Sequence, residues 1–188
     1  MKKIFLFAYL LISCCQFTFS QTVNSLDLKN GFRQFKFGTS PQQIKNIIKD
    51  DKLDNHYGNP NIKHYIYIEN DIEKLAFVKI EAINLKFYKN KLVHIGVDFG
   101  NLDNEFRYDE YEKILDVLET AYGTNWTQGK DRNDQVLNAA IWEGKNVILE
   151  LIRIDFTKHT LKDKYNSIKG YLHVYDKKLD AEMYKSQL

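Results

Sequence analysis

Cysteine is almost absent from this chain of 188 residues, because its two cysteines, Cys14 and Cys15, both lie among the first 20 residues. If those residues are removed, the remaining chain has no thiol. That excludes disulfide bonds, a cysteine nucleophile and a thiolate metal site. A protein exported without disulfides has to be held together by its hydrophobic core alone.

The first 20 residues are predicted to be a bacterial secretory signal peptide. They combine a basic start at Lys2 and Lys3, an apolar run over 4–12 and small residues before Gln21. The run is shorter than the roughly 20 residues that span a bilayer. We therefore expect the segment to be removed and the protein to reach the periplasm or the medium. An alternative stays open, because Leu11-Ile12-Ser13-Cys14 resembles a lipobox, in which Cys14 is lipidated and anchors the protein to the outer membrane.

An excess of charge is lacking as well. The chain has 27 basic and 25 acidic residues, and loss of Lys2 and Lys3 with the signal peptide would leave 25 of each. Because a nucleic-acid-binding domain usually carries a basic excess, we expect no nucleic-acid partner. After the signal peptide no apolar stretch is long enough for a transmembrane segment. Two prolines and no low-complexity stretch favour a folded chain.

Motifs for catalysis and cofactor binding are missing too. The sequence contains no Gly-x-Ser-x-Gly elbow and no Gly-Lys-Ser/Thr phosphate loop. None of the five histidines is spaced as a metal-binding pair: His56, His64, His94, His159 and His173. His94 and Asp98 would lie about 13 Å apart along a strand, too far to share one ion. We therefore expect no cofactor and no metal site.

Helix and strand patterns, in contrast, follow one another along the whole chain. The run Phe37-Gly38-Thr39-Ser40-Pro41-Gln42-Gln43 has a helix-start signature, and the isoleucines after it predict an amphipathic helix through Ile48. A second helix is predicted over 105–122, with Gly123 at its end. Strands are predicted over 64–69, 75–83, 85–88, 92–99, 137–143, 147–154 and 171–175, and a short final helix is predicted after 177.

These elements predict an α+β fold in which a helix is followed by an antiparallel meander, a plan that fits two repeats. We expect one compact domain with a polar leader at 21–30, a first unit at 31–100 and a second unit at 101–188. The segment 50–61 is predicted to be a turn-rich loop. In the strand 92–99, Val93 is expected to face one way and His94 the other.

The run Phe37-Gly38-Thr39-Ser40, the pair Tyr122-Gly123 and Trp142 resemble motifs of a class of small exported bacterial α+β proteins. Members of that class have an FGxS helix start, a later YG and a downstream tryptophan. The plan is also similar to the β-lactamase inhibitor protein fold and to small outer-membrane assembly lipoproteins. This resemblance implies an architecture and an envelope location, and it implies no catalytic residue.

Tyrosine is the abundant residue type with binding chemistry. Tyr65 and Tyr67 share one face of a predicted strand, and Tyr171 and Tyr175 share one face of another. A row of tyrosines on an open sheet face would suit a peptide, a glycan or another envelope protein. The alternative is that these rings pack against the helices.

The sequence therefore favours an exported, non-enzymatic binding or interaction module. The alternative is a small extracytoplasmic hydrolase with its site in the loops 124–135 or 155–168. A pocket lined by two or more convergent histidine, aspartate or glutamate side chains would favour the enzyme. A flat tyrosine face would favour the binding module.

Overall fold

A computed structural model of the protein describes residues 22–130, 136–158 and 167–187. Its centre is an antiparallel sheet of eight strands, which confirms the predicted α+β class. In spatial order the strands are β3 (Ile47–Lys49), β4 (Ile62–Tyr67), β7 (Ala82–Tyr88), β8 (Lys91–Phe99), β12 (Ile168–Asp176), β11 (Val147–Asp155), β10 (Val136–Glu143) and β9 (Thr127–Lys130).

Helices and two short hairpins surround this sheet. The α-helices are α1 (Thr22–Lys29), α2 (Asp51–Tyr57), α3 (Tyr108–Tyr122) and α4 (Lys177–Lys185). The hairpins are β1–β2 (Gly31–Phe32 and Phe35–Lys36) and β5–β6 (Lys74–Leu75 and Val78–Lys79), and 3-10 turns occupy Pro41–Gln43 and Phe156–Lys158. Within the described ranges, none of these helices is both long enough and apolar enough to cross a membrane.

The two faces of the sheet are covered unequally. On one face α1, α3 and the β1–β2 hairpin enclose the main core, in which Leu26, Phe35 and Ile114 are almost completely buried. On the other face α4 packs through Met183 and Leu179 against a smaller cluster near one end of the sheet. Among the described residues, α4 and α2 cover parts of this second face, called the α4 face below, and a groove remains between them.

Each half of the chain contributes four neighbouring strands to the sheet. The strands β3, β4, β7 and β8 come from the first half, and β9 to β12 come from the second. The two sets join where β8 pairs with β12, from Phe99 opposite Gly170 to His94 opposite Tyr175. Residues 100–101, where the sequence predicts a boundary, lie in the connection between the two sets.

The helix predicted from Ser40 to Ile48 is wrong. A single 3-10 turn follows Ser40, whose backbone N–H donates to Gln43 Oε1 at 2.8 Å, as the cap signature requires. The chain then turns at Asn46, which has a φ of 60°, and β3 pairs with β4. Isoleucine is β-branched and suits a strand, so this pairing overrides the helical spacing.

Other local predictions also change. The predicted loop 50–61 contains α2, which Asp50 caps by accepting the backbone N–H groups of Lys52 and Leu53 at 3.0 and 3.1 Å. The predicted strand 75–83 is replaced by the β5–β6 hairpin and the start of β7. The predicted polar leader contains α1, whose Leu26 is buried in the main core.

The orientation predicted for Val93 is wrong because β8 contains an irregularity. The register between β7 and β8 shifts next to Lys86 and Phe87. Leu92 consequently lies in the main core, while Val93 packs with Met183 on the α4 face. An extra residue of this kind is a β-bulge, which a period of two cannot reveal.

Residues of the predicted family motifs connect helices and turns to the sheet. The indole N–H of Trp142 donates to the carbonyl oxygen of Gly123 at 2.7 Å, at the end of α3. The N–H of Gly38 donates to the carbonyl oxygen of Leu92, and the N–H of Leu92 donates to that of Thr39. These motif residues therefore act as structural attachments.

Phe106 fills the core at a point where two glycines leave room for its ring. The ring stacks on Phe99 with centroids 5.4 Å apart, and the Phe106 N–H donates to the Ile168 carbonyl oxygen at 2.9 Å. A Cβ atom at Gly170 would lie 2.3 Å from the ring, and one at Gly100 would lie 2.7 Å from the Phe106 nitrogen. The two glycines and Phe106 thus form one closely packed unit.

Candidate functional site

The open part of the α4 face contains a groove with a volume of about 400 Å³. Small-molecule sites usually enclose about 300–1,000 Å³, so this volume is sufficient for a small ligand. Strands β4, β7, β8, β12 and β11 contribute to its lining, together with α2 and the turn at Phe156. The lining includes Asp50, Leu53, His64, Ile66, Asn84, Lys86, His94, Gly96, Asp98, Ile152, Ile154, Phe156, Tyr171 and His173.

Strand register arranges these side chains in rows that run across the sheet. Residues two apart on a strand share a face, so each strand contributes alternate residues to the groove. The first row contains His64, Lys86, His94 and Tyr175, the second contains Ile66, Asn84, Gly96 and His173, and the third contains Asp98, Tyr171 and Ile152. Residues from both halves of the chain therefore build the groove.

Gly96 leaves space at the middle of the second row. A Cβ atom placed there would lie 3.7 Å from His173 Nδ1 and 3.8 Å from the Asn84 Cβ, which are ordinary contact distances. A larger side chain at this position would extend into the groove. A glycine inside a strand often marks a close approach of a ligand to the backbone, and its position here fits that role.

His94 and His173 form a pair on adjacent strands. His94 Nε2 and His173 Nδ1 are 3.0 Å apart, so one nitrogen donates and the other accepts. Burial lowers the pKa of His94 to about 3, and the nearby His173 adds to the effect. Burial likewise lowers the pKa of His173 to about 4. Both imidazoles are therefore neutral at neutral pH and serve as hydrogen-bonding groups.

His64 is positioned by Asp54 on α2. The Asp54 carboxylate accepts the backbone N–H of His64 at 2.8 Å and lies 3.0 Å from the ring nitrogen Nδ1. Burial raises the pKa of Asp54, but the hydrogen bonds from His64 and Lys49 outweigh it, and the net direction is downward. Burial lowers the pKa of His64 itself. The His64 ring is thus fixed at the edge of the groove next to α2.

Lys86 lies between His64 and His94 and is the one lysine among the described residues that line the groove. Burial lowers the pKa of its ammonium group, while the charge of Asp180 acts in the opposite direction. Within the described part of the chain, Lys86 makes no hydrogen bond and no ion pair within 4 Å. Its charge is therefore partly buried and has no direct partner among the described residues.

Two acidic side chains on this face of the sheet have raised pKa values. Asp180 is on α4, burial raises its pKa to about 6, and its Oδ1 atom has no hydrogen-bond partner among the described residues. Asp98 lines the groove and accepts a hydrogen bond from Asn84 Nδ2 at 2.9 Å, while burial raises its pKa. Burial therefore disfavours the charged form of both carboxyl groups.

The four tyrosines predicted as a binding set lie on opposite faces of the sheet. The rings of Tyr65 and Tyr67 lie on the main core face, where they pack edge-on against Phe87 at 5.2 Å and Phe35 at 5.1 Å, although Tyr65 also borders the groove. Tyr171 and Tyr175 belong to the α4 face. Tyr171 stacks on His173 at 5.8 Å, and the Tyr175 hydroxyl donates to Glu150 at 2.9 Å. The four rings do not form one row.

Parts of the other predicted sites lie outside the described residues. The structure does not describe Cys14, His159 or the side chain of His56. It also leaves out the segments 131–135 and 159–166 of the two candidate hydrolase loops. In the described part of the two loops, Phe156 of the loop 155–168 lines the groove. Among the residues that the structure does describe, no group of three His, Cys, Asp or Glu side chains is placed to hold a metal ion.

Sequence reasoning did not find the groove. The alternating pattern of β8 places His94 and Asp98 on one face of a strand, and this was the one indication of the groove in the sequence. Lys86 and His173 join them because β7 and β12 flank β8 in the sheet. Strand neighbours that distant in sequence cannot be identified from the periodicity of one strand.

The chain belongs to the family described as the TP0088 domain, whose model matches residues 30–171. The match covers most of the groove lining, and it ends before His173 and α4. Comparisons with curated proteins and with solved structures gave no match.

Proposed function

We propose that this member of the TP0088 domain family is an exported, non-enzymatic binding module that holds a small ligand in the sheet-face groove. The observation that carries the proposal is the groove itself, which combines a volume of about 400 Å³ with apolar walls and a few convergent polar groups. That combination is typical of ligand sites in proteins.

The polar groups of the groove are held in place before any ligand binds. Asp54 orients His64, His173 pairs with His94, and Asn84 donates to Asp98. Groups fixed in this way lose little conformational freedom on binding, which favours affinity. Tyr171 adds an aromatic face at the same site, which would suit a glycan ring or a peptide side chain.

Export is the second part of the proposal and rests on the signal-peptide pattern of residues 1–20. The alternative is an outer-membrane lipoprotein anchored through Cys14. The intact mass of the protein produced from its full sequence distinguishes these alternatives. A soluble protein would have the mass of a chain that begins at Gln21, whereas a lipoprotein would begin at Cys14 and carry the added mass of its lipid. The predicted similarity of plan to β-lactamase inhibitor protein-like folds stays a prediction.

Filling the groove is expected to weaken binding strongly without unfolding the protein. In Gly96→Val the added methyl groups occupy the middle of the groove, and we expect the affinity for groove ligands to fall about tenfold or more. The measurement is a ligand-observed NMR screen of small carboxylates, amides and sugars against the full chain. Thermal unfolding checks that the variant is folded.

Two further variants make this test specific. Gly96→Ala adds a Cβ atom at ordinary contact distances, so it should be folded and should bind more weakly than wild type and more strongly than the valine variant. Thr127→Val changes an exposed residue of the edge strand β9 and should bind like wild type. The same hits with the same affinities in all four proteins would show that the groove is not the binding site.

A small hydrolase is the second candidate, and the histidines of the groove favour it. Three histidines and Asp98 line the groove, so it meets the criterion given above for an enzyme. The binding module is preferred because His94 and His173 bond each other and are neutral, and because Asp98 already accepts a hydrogen bond from Asn84. The described lining contains no serine, threonine or cysteine, so the attacking group would be a water activated by an imidazole such as His64. Turnover of p-nitrophenyl esters that is lost in His64→Gln would establish the enzyme, and absence of turnover in the wild-type protein would support the binding module.

A further inference from the structure

We propose that the ligand of the groove is a single-chain anionic amphiphile, with its head group beside the Lys86 ammonium and its alkyl tail over Gly96. This inference rests on the binding role proposed above and names the chemical class of the ligand. It follows from two features of the groove, an ammonium group that makes no ion pair or hydrogen bond with the described residues and two apolar walls.

The position of Lys86 argues for an anionic head group. Its ammonium lies in the first row between His64 and His94, and no described residue forms a hydrogen bond or ion pair with it. A partly buried charge is stabilised when an opposite charge comes within contact distance. A carboxylate of the ligand would supply that charge and accept a charge-assisted hydrogen bond from the Lys86 ammonium.

The acidic groups near Lys86 leave this position available. Asp180 acts on the lysine from α4, but it does not line the groove and forms no ion pair with Lys86 within 4 Å. Asp98 lines the groove in the third row, where Asn84 donates to it. The carboxylate of Asp50 is engaged as the cap of α2. Lys86 is therefore the one cationic side chain among the described residues that line the groove.

Apolar side chains on both sides of Gly96 argue for an alkyl tail. Leu53 and Ile66 form one wall and remain 37% and 36% exposed, and Ile152 and Ile154 form the other. Ile48, which is opposite Ile66 and 56% exposed, continues the first wall toward the edge of the sheet. Covering exposed apolar side chains beside a groove removes them from water, which stabilises the complex with a ligand that has an alkyl tail.

The test compares three probes that share one tail and differ in head-group charge: decanoate, decanol and decyltrimethylammonium. Binding to the full chain is measured by isothermal titration calorimetry below the concentration at which each probe aggregates. We expect decanoate to bind at least about tenfold more tightly than decanol, and decyltrimethylammonium to bind most weakly, because Lys86 discriminates by charge.

Lys86→Met keeps the length and apolar stem of the side chain and removes the charge. In this variant decanoate should lose about tenfold or more in affinity, whereas decanol should be unaffected. Lys86→Arg should retain the preference for decanoate. Lys91→Met, at an exposed lysine outside the groove, is the matched control and should behave as wild type.

The outcomes distinguish failure of the head-group inference from failure of the proposed binding role. Equal binding of decanoate and decanol, or an unchanged ratio in Lys86→Met, overturns the anionic head group and leaves the groove as an apolar site. Failure of all three decyl probes also overturns this inference. The proposed binding role fails separately, if no hit of the NMR screen is weakened in Gly96→Val.

Discussion

Replacement of Phe106 by alanine is expected to lower the free energy of unfolding by about 3–5 kcal/mol, the usual cost of removing a fully buried phenylalanine ring. The ring is 1% exposed and stacks on Phe99. Its surroundings cannot close the cavity easily, because Gly100 and Gly170 beside it have no side chains that could move in. The loss should therefore fall in the upper part of the range.

Phe77→Ala is the matched control, because it deletes the same ring from a position that is 95% exposed. This substitution should change the free energy of unfolding by no more than about 0.5 kcal/mol. Urea denaturation followed by circular dichroism measures both variants. A loss below about 1 kcal/mol in Phe106→Ala would contradict the packing described for Phe99, Phe106 and Gly170.

Acidification from pH 7 to pH 4 is expected to destabilise the folded protein by a net of about 2–4 kcal/mol, because the loss from its buried histidine pair exceeds the gain from its buried carboxyl groups. Burial lowers the pKa of His94 to about 3 and that of His173 to about 4, from the usual value of 6.5. Between pH 6.5 and pH 4 the unfolded chain therefore binds more protons than the folded one. Stability consequently rises with pH in this window and is lost as the pH falls.

Buried carboxyl groups oppose part of this loss. The pKa of Asp180 is raised to about 6 and that of Asp98 is also raised, so both take up protons in the folded state before they do so in the unfolded state. Their protonation stabilises the fold as the pH falls, and it reduces the net effect. The histidines dominate because two imidazoles with larger pKa shifts act together.

The double variant His94→Gln/His173→Gln isolates the contribution of the pair. It keeps hydrogen-bonding side chains at both positions and removes the titrating groups. Its free energy of unfolding, measured by urea denaturation at half-unit intervals from pH 7 to pH 4, should be much flatter than that of the wild type or should rise on acidification. An equal slope in both proteins would show that other groups control the acid response.

Elements set by local chemistry could be predicted from the sequence. Helix α3 ends at Gly123, which has a φ of 85°, as the glycine after Tyr122 predicts. The turn between β7 and β8 places Lys89 and Asn90 at positive φ, and the alternation after it matches most of β8. In each case the deciding interactions lie within a few residues along the chain.

Features set by distant contacts could not be predicted. The segment after Ser40 has a good helix start, but Ile47 and Ile48 pair with β4, and this pairing decides the outcome. The candidate site shows the same limit, because His94 and His173 come together only through the pairing of β8 with β12. Tyrosine spacing, in turn, identified two shared faces without revealing that they are opposite faces of one sheet.

The junction of β8 and β12 also has a kinetic consequence. Its partners are about 70–80 residues apart in sequence, whereas β7 and β8 are joined by a turn of two residues. Closing so long a loop carries a larger entropic penalty than forming a hairpin, and contacts of this range slow folding. His94, Gly96 and Asp98 lie on one side of the junction, and Tyr171 and His173 lie on the other. In a partly folded chain in which each half has formed its own strands, with the junction still open, the groove lacks the side that β12 and β11 contribute.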